Sequence, residues 1–260
     1  MPRLRIACAQ LTCQKGDWAG NLARHATWLA RAAQAGAAVC VFPEMSLSGY
    51  ADPAAMPEAV KPLDSPEVAA FVALTATVPV ATTAGLITPN PAGRPFITQI
   101  LAAGGRLLGA YRKVQVVDEE AAWFAPGYER PVFALPLRDG GTLPCALAVC
   151  ADSDRPDLFA SYAAQGVRLI LHPSAPGLYG RRTDAAAWAA GYDWYRGYLV
   201  ERLPRYARAH GLTIAVATQT GATVDEDFPG GSFVFGPTGA CLAATPDWRE
   251  TLLIHTVEID

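Results

Sequence analysis

Lysine is almost missing from this chain: of 260 residues only Lys15, Lys61 and Lys113 carry it, and the remaining basic charge is arginine. With 21 basic against 24 acidic side chains and no block of consecutive basic residues, the sequence offers no electrostatic footprint for nucleic acid. No stretch of about 18 apolar residues is present to span a bilayer, and the opening Met-Pro-Arg-Leu-Arg-Ile-Ala-Cys-Ala-Gln lacks the apolar core of a secretory signal. Paired zinc spacing and Cys-x-x-Cys are both missing among the six cysteines. Most of these lie inside apolar runs, where free cysteine behaves as a small hydrophobe, so a reducing, cytoplasmic setting is expected. There is no Walker A sequence, no Gly-x-Gly-x-x-Gly after a strand and no Gly-x-Ser-x-Gly elbow. Nucleotide-dependent chemistry and a serine hydrolase are therefore not expected, and neither is a stand-alone glutamine-dependent synthetase.

What is present is an alternation of strand and helix signals through a chain that is 51% hydrophobic and only 17% charged. Strands are predicted at Leu4–Ala9, Ala38–Phe42, Val78–Ile87, Phe96–Ala102 and Arg106–Lys113, with Gly104-Gly105 turning a hairpin between the last two. A second set falls at Val132–Leu137, Leu143–Cys150, Val167–His172, Leu212–Ala217, Ser232–Phe235, Ala240–Ala244 and Thr251–Glu258. Helices are predicted from about Asn21 to Ala35, after the Ser65-Pro66 start signal, over Pro156–Gln165 and over Ala185–His210. Interleaving of helices with strand pairs that include antiparallel hairpins favours an α/β fold of two mixed β-sheets with the helices outside, a four-layer α-β-β-α sandwich, over a single parallel sheet. No linker or internal repeat divides the chain, so 1–260 reads as one domain.

Three chemically capable residues end predicted strands: Glu44 in Val41-Phe-Pro-Glu44, Lys113 in Tyr111-Arg-Lys113, and Cys150 after Cys145-Ala-Leu-Ala-Val. In open α/β sheets such ends are where sites are built. A thiol of ordinary pKa is only a few per cent ionised at neutral pH and needs a proton acceptor. Of the four histidines only His172 ends a strand, which leaves a Cys–His dyad open. Glutamate is the alternative base when burial raises its pKa, with a lysine opposite to balance charge and donate to an oxyanion. Taken singly, the cysteine reads as a core residue, the glutamate as a loop start and the lysine as a solvated cation.

Read together, the local contexts resemble the nitrilase (carbon–nitrogen hydrolase) superfamily over nearly the whole chain. Phe42-Pro-Glu44-Met-Ser-Leu-Ser-Gly-Tyr50 is similar to its glutamate motif and Gly109-Ala-Tyr-Arg-Lys113 to its lysine motif. Glu120 with Trp123-Phe-Ala-Pro-Gly127 resembles the segment carrying a second glutamate, and Ala148-Val-Cys150-Ala-Asp152 the nucleophile motif. Leu171-His-Pro173, Phe228-Pro-Gly-Gly-Ser232 and Gly236-Pro-Thr-Gly239 complete the order. The chain departs from the family pattern at Gln115, at Ala151 and at Asp154-Arg-Pro-Asp157, positions near the substrate pocket.

The resemblance implies a non-peptide amidase that needs neither metal nor organic cofactor and assembles as a homodimer or larger homo-oligomer. Cys150 would be the nucleophile, Glu44 the base, Lys113 and the Ala151 N–H the oxyanion donors, and Glu120 a support for Lys113. Substrate contacts are expected at Ala151, Asp154 and His172, with Arg155, Arg181, Arg182 and Asp184 near the pocket mouth. The substrate expected is a small aliphatic amide or N-carbamoyl compound. Nitrilase, N-acyltransferase and a catalytically silent binding or scaffold protein are the alternatives.

Overall fold

A computed structural model of the protein describes residues 3–117 and 120–259. The first sheet begins with β1 (Arg3–Gln10), whose burial alternates at its start and is complete over its last five residues. Helix α1 (Trp18–Gln34) follows, starting three residues earlier than predicted because Asp17 accepts a 2.9 Å hydrogen bond from the Gly20 N–H and so caps it. Then come β2 (Val39–Val41), a 3₁₀ turn at Pro57–Ala59, and α2 (Pro66–Leu74) with the predicted Ser65 cap. The sheet continues with β3 (Ala81–Asn90), β4 (Gly93–Ala103) and β5 (Arg106–Arg112). Gly104 and Gly105 both adopt positive φ (57° and 74°), as the tight hairpin turn between β4 and β5 requires.

A single-turn α3 (Glu120–Trp123) leads to the second half: β6 (Phe133–Pro136), β7 (Thr142–Leu147), α4 (Pro156–Ala164) and β8 (Leu169–Ser174). Helix α5 (Ala185–His210) runs the predicted length through Pro204, between the Asp184 cap and Gly211, whose φ is 64°. The chain then forms β9 (Thr213–Thr218), β10 (Thr220–Ala222), β11 (Asp227–Pro229), β12 (Phe233–Phe235), β13 (Cys241–Ala244) and β14 (Thr251–Glu258). The small β10–β11 ribbon has too few apolar alternations to announce itself in sequence.

The first sheet has the order β14-β1-β2-β3-β4-β5 and the second β13-β12-β9-β8-β7-β6. In each, a parallel trio (β1-β2-β3 and β7-β8-β9) is flanked by antiparallel strands. The two sheets therefore have the same pattern, reading antiparallel, parallel, parallel, antiparallel, antiparallel from β14 across the first and from β6 across the second.

Between the sheets lies the main core, with Ile6, Val39, Val41, Leu101 and Tyr111 from one side and Leu147, Leu169, Leu171 and Val234 from the other. Trp28 and Leu29 of α1, with Val68 and Phe71 of α2, cover the outer face of the first sheet. Phe159 and Tyr162 of α4 cover the second, together with Tyr195, Leu199, Leu203 and Ala207 of α5, which recur every four residues. The expected four-layer α-β-β-α sandwich is the observed architecture. What matters for the site is that β2, β5, β7 and β8 deliver their C-terminal ends to one region.

Candidate active site

The predicted strand ending in Cys150 stops earlier, at Leu147. Cys150 itself opens a 3₁₀ turn over Cys150–Asp154 and holds φ at 47°, in the left-handed region. Asp152 accounts for this turn. Its buried carboxylate accepts hydrogen bonds from the Val149 N–H (2.8 Å), the Gln115 N–H (2.8 Å) and the Tyr111 hydroxyl (2.6 Å). Those bonds fold the chain back sharply, and Gln115 and Tyr111 tie the turn to the segment that carries Lys113. Among the described residues only Met45, Cys150 and Tyr179 are non-glycine positions with positive φ. Met45 follows Glu44, and the other two line one cavity. Backbone strain of this kind persists only where its surroundings enforce it, and it gathers at functional sites.

Glu44, Lys113 and Glu120 form a buried ionic cluster. Lys113 Nζ donates to Glu44 Oε1 (2.8 Å) and to Glu120 Oε1 and Oε2 (2.7 and 2.8 Å). The other Glu44 oxygen accepts the Ala175 N–H at 2.9 Å from the end of β8. Glu120 also accepts from the Val117 N–H (3.3 Å) and from the Tyr50 hydroxyl (2.5 Å). Two close backbone approaches fix this arrangement. A Cβ at Gly85 would fall 2.1 Å from the Met45 nitrogen, so the glutamate loop can cross β3 only there. A Cβ at Gly127 would fall 2.4 Å from the Arg112 carbonyl oxygen, which is why the segment after α3 can lie against the lysine strand, with the Gly127 N–H donating to Lys113 O at 2.7 Å.

The titration behaviour follows from this packing. Burial raises Glu44 to about 7; Lys113 opposes the shift and Glu120 adds to it. Burial, then the Glu44 charge, pushes the Cys150 thiol well above its ordinary value, with Lys113 pulling the other way. Burial lowers Lys113, but Glu120 and Glu44 outweigh it and hold the ammonium charged far above the usual range. At neutral pH the site therefore contains a protonated thiol beside a carboxylate that can take its proton, and a permanent cation beside both.

A cavity of about 290 Å³ opens over the cysteine, lined on this side by Cys150, Ala151, Glu120 and Tyr50. Of the three positions expected to touch substrate, Ala151 and Asp154 line this cavity and His172 does not. Asp154 is already engaged, accepting from Tyr198 (2.8 Å) and Arg202 (2.8 Å). His172 is fully buried, and it shares the parity of Ile170 on β8, the strand face that packs toward α4 and α5. Burial, helped by the Lys113 charge, lowers it to about 3, so it is neutral at ordinary pH and a weak proton acceptor. Among the described residues no histidine lines the cavity with Cys150, which favours a carboxylate partner for the thiol.

Arg181 and Arg182 line a second, adjoining cavity of about 520 Å³, while Asp184 is spent on capping α5. Arg155 pairs with Asp157. Tyr50, Trp194, Tyr195 and Glu226 are cavity residues that the sequence did not single out. Tyr50 closes the quoted glutamate motif and was the one within reach. The others arrive from distant segments with no local signal.

A carboxylate, a lysine and a thiol thus come together at the strand ends of a four-layer α-β-β-α sandwich. The profile of the carbon–nitrogen hydrolase family matches residues 5–260, and the chain belongs to that family. It is accordingly a hydrolase of carbon–nitrogen bonds other than peptide bonds. An amidase from Nesterenkonia sp. is similar in structure, with a TM-score of 0.79 and 29% identity over 98% of this chain and 90% of that one. A hydrolase of Mycobacterium tuberculosis is 26% identical over 99% of this chain and 90% of its own length. The N-carbamoylputrescine amidase of Solanum tuberosum is 26% identical over 62% of this chain and 54% of the plant enzyme. Variants of the Nesterenkonia amidase have been solved with acrylamide, with butyramide, and with the acetamide moiety of fluoroacetamide added covalently at the active-site cysteine.

Proposed function

We propose that this chain, read as one carbon–nitrogen hydrolase domain over 1–260, hydrolyses a small aliphatic amide or N-carbamoyl compound through a thioester on Cys150. The observation that carries the reading is a base of raised pKa and a locked ammonium packed directly behind a strained cysteine that lines one cavity. Glu44 takes the thiol proton as the sulfur attacks the carbonyl carbon. The oxygen of the tetrahedral intermediate is held by the Lys113 ammonium and the Ala151 N–H. Glu44 then returns the proton to the departing nitrogen; the C–N bond breaks, and ammonia or an amine leaves a thioester behind. Water, deprotonated by Glu44, attacks that thioester, and the proton passes back to the sulfur as the acid is released. Glu120 is a positioning residue, holding Lys113 through both carboxylate oxygens.

The cavity over Cys150, about 290 Å³, is of a size to take a small-molecule substrate. The Nesterenkonia complexes with acrylamide and butyramide support an amide substrate, and the plant relative supports the N-carbamoyl variant. The six free cysteines are in keeping with a reducing, cytoplasmic setting, and a homodimer or larger assembly belongs to the same reading. Ammonia release from a panel of short amides and N-carbamoyl amines tests it. Turnover of at least one member, lost in Cys150→Ala, is expected; a Cys150→Ala protein that keeps full activity overturns it.

A further inference from the structure

Besides Lys113, one other lysine is buried. The Lys15 side chain is only 7% exposed, and its Nζ lies 2.6 Å from Asp225 Oδ1 and 3.7 Å from Glu226 Oε2. Both acids belong to the turn between β10 and β11. Thr223 closes that turn by donating its N–H (2.9 Å) and its hydroxyl (2.5 Å) to Glu226 O. The chemistry assigned to Cys150 uses neither Lys15 nor Glu226.

Lys15 is anchored on the glutamate motif. A Cβ at Gly49 would fall 2.5 Å from Lys15 Cα and 2.3 Å from the Gln14 carbonyl oxygen, so the two backbones pack directly together. Next to this contact the Gly16 N–H donates to Ser48 O at 2.8 Å. Glu226 is anchored on the other side of the site. Its carboxylate lies against the bare Cα of Gly177, where a Cβ would be 1.9 Å from Oε1, and it accepts the Tyr179 N–H at 3.3 Å. Asp227 adds its carbonyl, which accepts the Leu178 N–H at 3.0 Å, and its Oδ2, which accepts the Arg182 N–H. The stretch held in this way supplies Ala175, Pro176, Gly177 and Tyr179 to the wall of the Cys150 cavity. It begins with the Ala175 N–H that donates to Glu44 Oε2 at 2.9 Å.

These contacts close a ring. It runs from Glu44 along its own motif to Gly49, through Lys15 to Glu226, on to Gly177, and back through Ala175 to the second oxygen of Glu44. We infer that Lys15 and Glu226 are positioning residues of the active site: their ion pair clamps the wall from Ala175 to Tyr179 onto the glutamate motif and keeps the Ala175 N–H on the base. This rests on the amidase reading with Glu44 as base, and both residues act through Ala175 rather than on the reacting atoms.

The clamp has a consequence for proton transfer. A hydrogen bond donated to a carboxylate favours its ionised form. The charged and titratable groups around Glu44 are Lys113, Glu120, Cys150, Tyr50 and Tyr195, and none of them belongs to the clamp or to the wall it holds. When the wall loosens, Glu44 loses the Ala175 donor and keeps those neighbours, so it becomes harder to ionise.

The test measures kcat, KM and the acid limb of kcat/KM on one short neutral amide for wild type, Glu226→Gln, Lys15→Met and the double variant. Each single variant should lose about tenfold in kcat, the scale of one hydrogen bond to a charged group. KM should change much less, and the limb should move to higher pH than in the wild type. The double variant should be no worse than the poorer single one, since either change opens the same link. Lys15→Arg, which keeps the charge, should retain most of the wild-type kcat. Gly177→Ala puts a methyl where the carboxylate lies and leaves both charges in place. It should give the same loss and the same limb shift, and it serves if a charge variant does not fold. An effect on KM alone, fully multiplicative losses in the double variant, or kcat and limb unmoved in the folded variants overturns the inference and leaves the amidase reading standing. A wild type without Cys150-dependent turnover, or with its limb at the ordinary glutamate value of 4.5, overturns the amidase reading instead.

Discussion

Tyr50 donates its hydroxyl hydrogen to Glu120 Oε1 at 2.5 Å, and the same oxygen takes Lys113 Nζ at 2.7 Å. One carboxylate oxygen thus joins the end of the glutamate motif to the lysine that faces Glu44. With the Val117 N–H on Oε2, this leaves Glu120 little freedom to rotate, and Lys113 inherits that rigidity. Tyr50→Phe keeps the ring and removes only the donor. A hydrogen bond to a charged group contributes about 1.5–3 kcal/mol, so kcat should fall by roughly tenfold to a hundredfold. KM should change much less, and a KM-only effect would instead place the hydroxyl on the substrate.

Glu44 must be ionised to accept the thiol proton, and burial raises it to about 7. Below that pH the base is increasingly protonated, so kcat/KM should fall about tenfold per unit on the acid side, with the limb centred near 7. A pH–rate profile on a neutral amide measures this. A limb near 4.5, the ordinary glutamate value, would mean that Glu44 is not the base.

Lys113 is expected to matter twice. Removing an oxyanion donor costs about 10² to 10³ in rate. Lys113→Met also strands Glu44 and Glu120 in a buried site without their cation, a loss of about 3–5 kcal/mol of stability. The sign with pH is specific: as pH falls, the stranded carboxylates protonate and the deficit shrinks. Chemical denaturation of variant and wild type at pH 8 and pH 5 should show the larger difference at pH 8.

His25 and His172 are both held neutral by burial, at about 4 and about 3. A histidine whose folded pKa is depressed contributes stability above its unfolded value near 6.5, and that contribution is lost as pH falls toward the folded value. Each approaches a slope of about 1.4 kcal/mol per pH unit in that window. Glu44 acts oppositely between about 7 and its unfolded value of 4.5, since its raised pKa favours the folded state as pH falls. Two histidines outweigh one glutamate below pH 6.5. His172→Gln should flatten the fall of unfolding free energy between pH 6.5 and 4, and an unchanged slope would contradict the assignment.

The parts of the site that were legible in sequence are those carried by strand ends. Glu44, Lys113 and Cys150 each follow an apolar run that a buried strand explains, and Glu120 came from the resemblance of the segment around it. The turn at Cys150 was not legible: Leu143–Cys150 reads as continuous strand, because the reversal is imposed by Asp152 binding Val149, Gln115 and Tyr111 rather than by any local glycine or proline. His172 was misplaced for a related reason. It lies at the right end of the right strand but on the other face, and a run buried on both faces has no alternation to reveal which. The cavity wall was the least legible part, since Glu226 and Trp194 reach Cys150 only through tertiary packing.

The most direct test of the central claim is where the acyl group resides during turnover. Wild-type protein mixed with a short amide and acid-quenched within a turnover should show, by intact mass and peptide mapping, an acyl adduct on Cys150. Added hydroxylamine should divert that acyl group to the hydroxamate in the same hydroxamate-to-acid ratio for an amide and an ester sharing one acyl chain. An adduct on another residue, or hydroxamate ratios that differ between amide and ester, would contradict a Cys150 thioester.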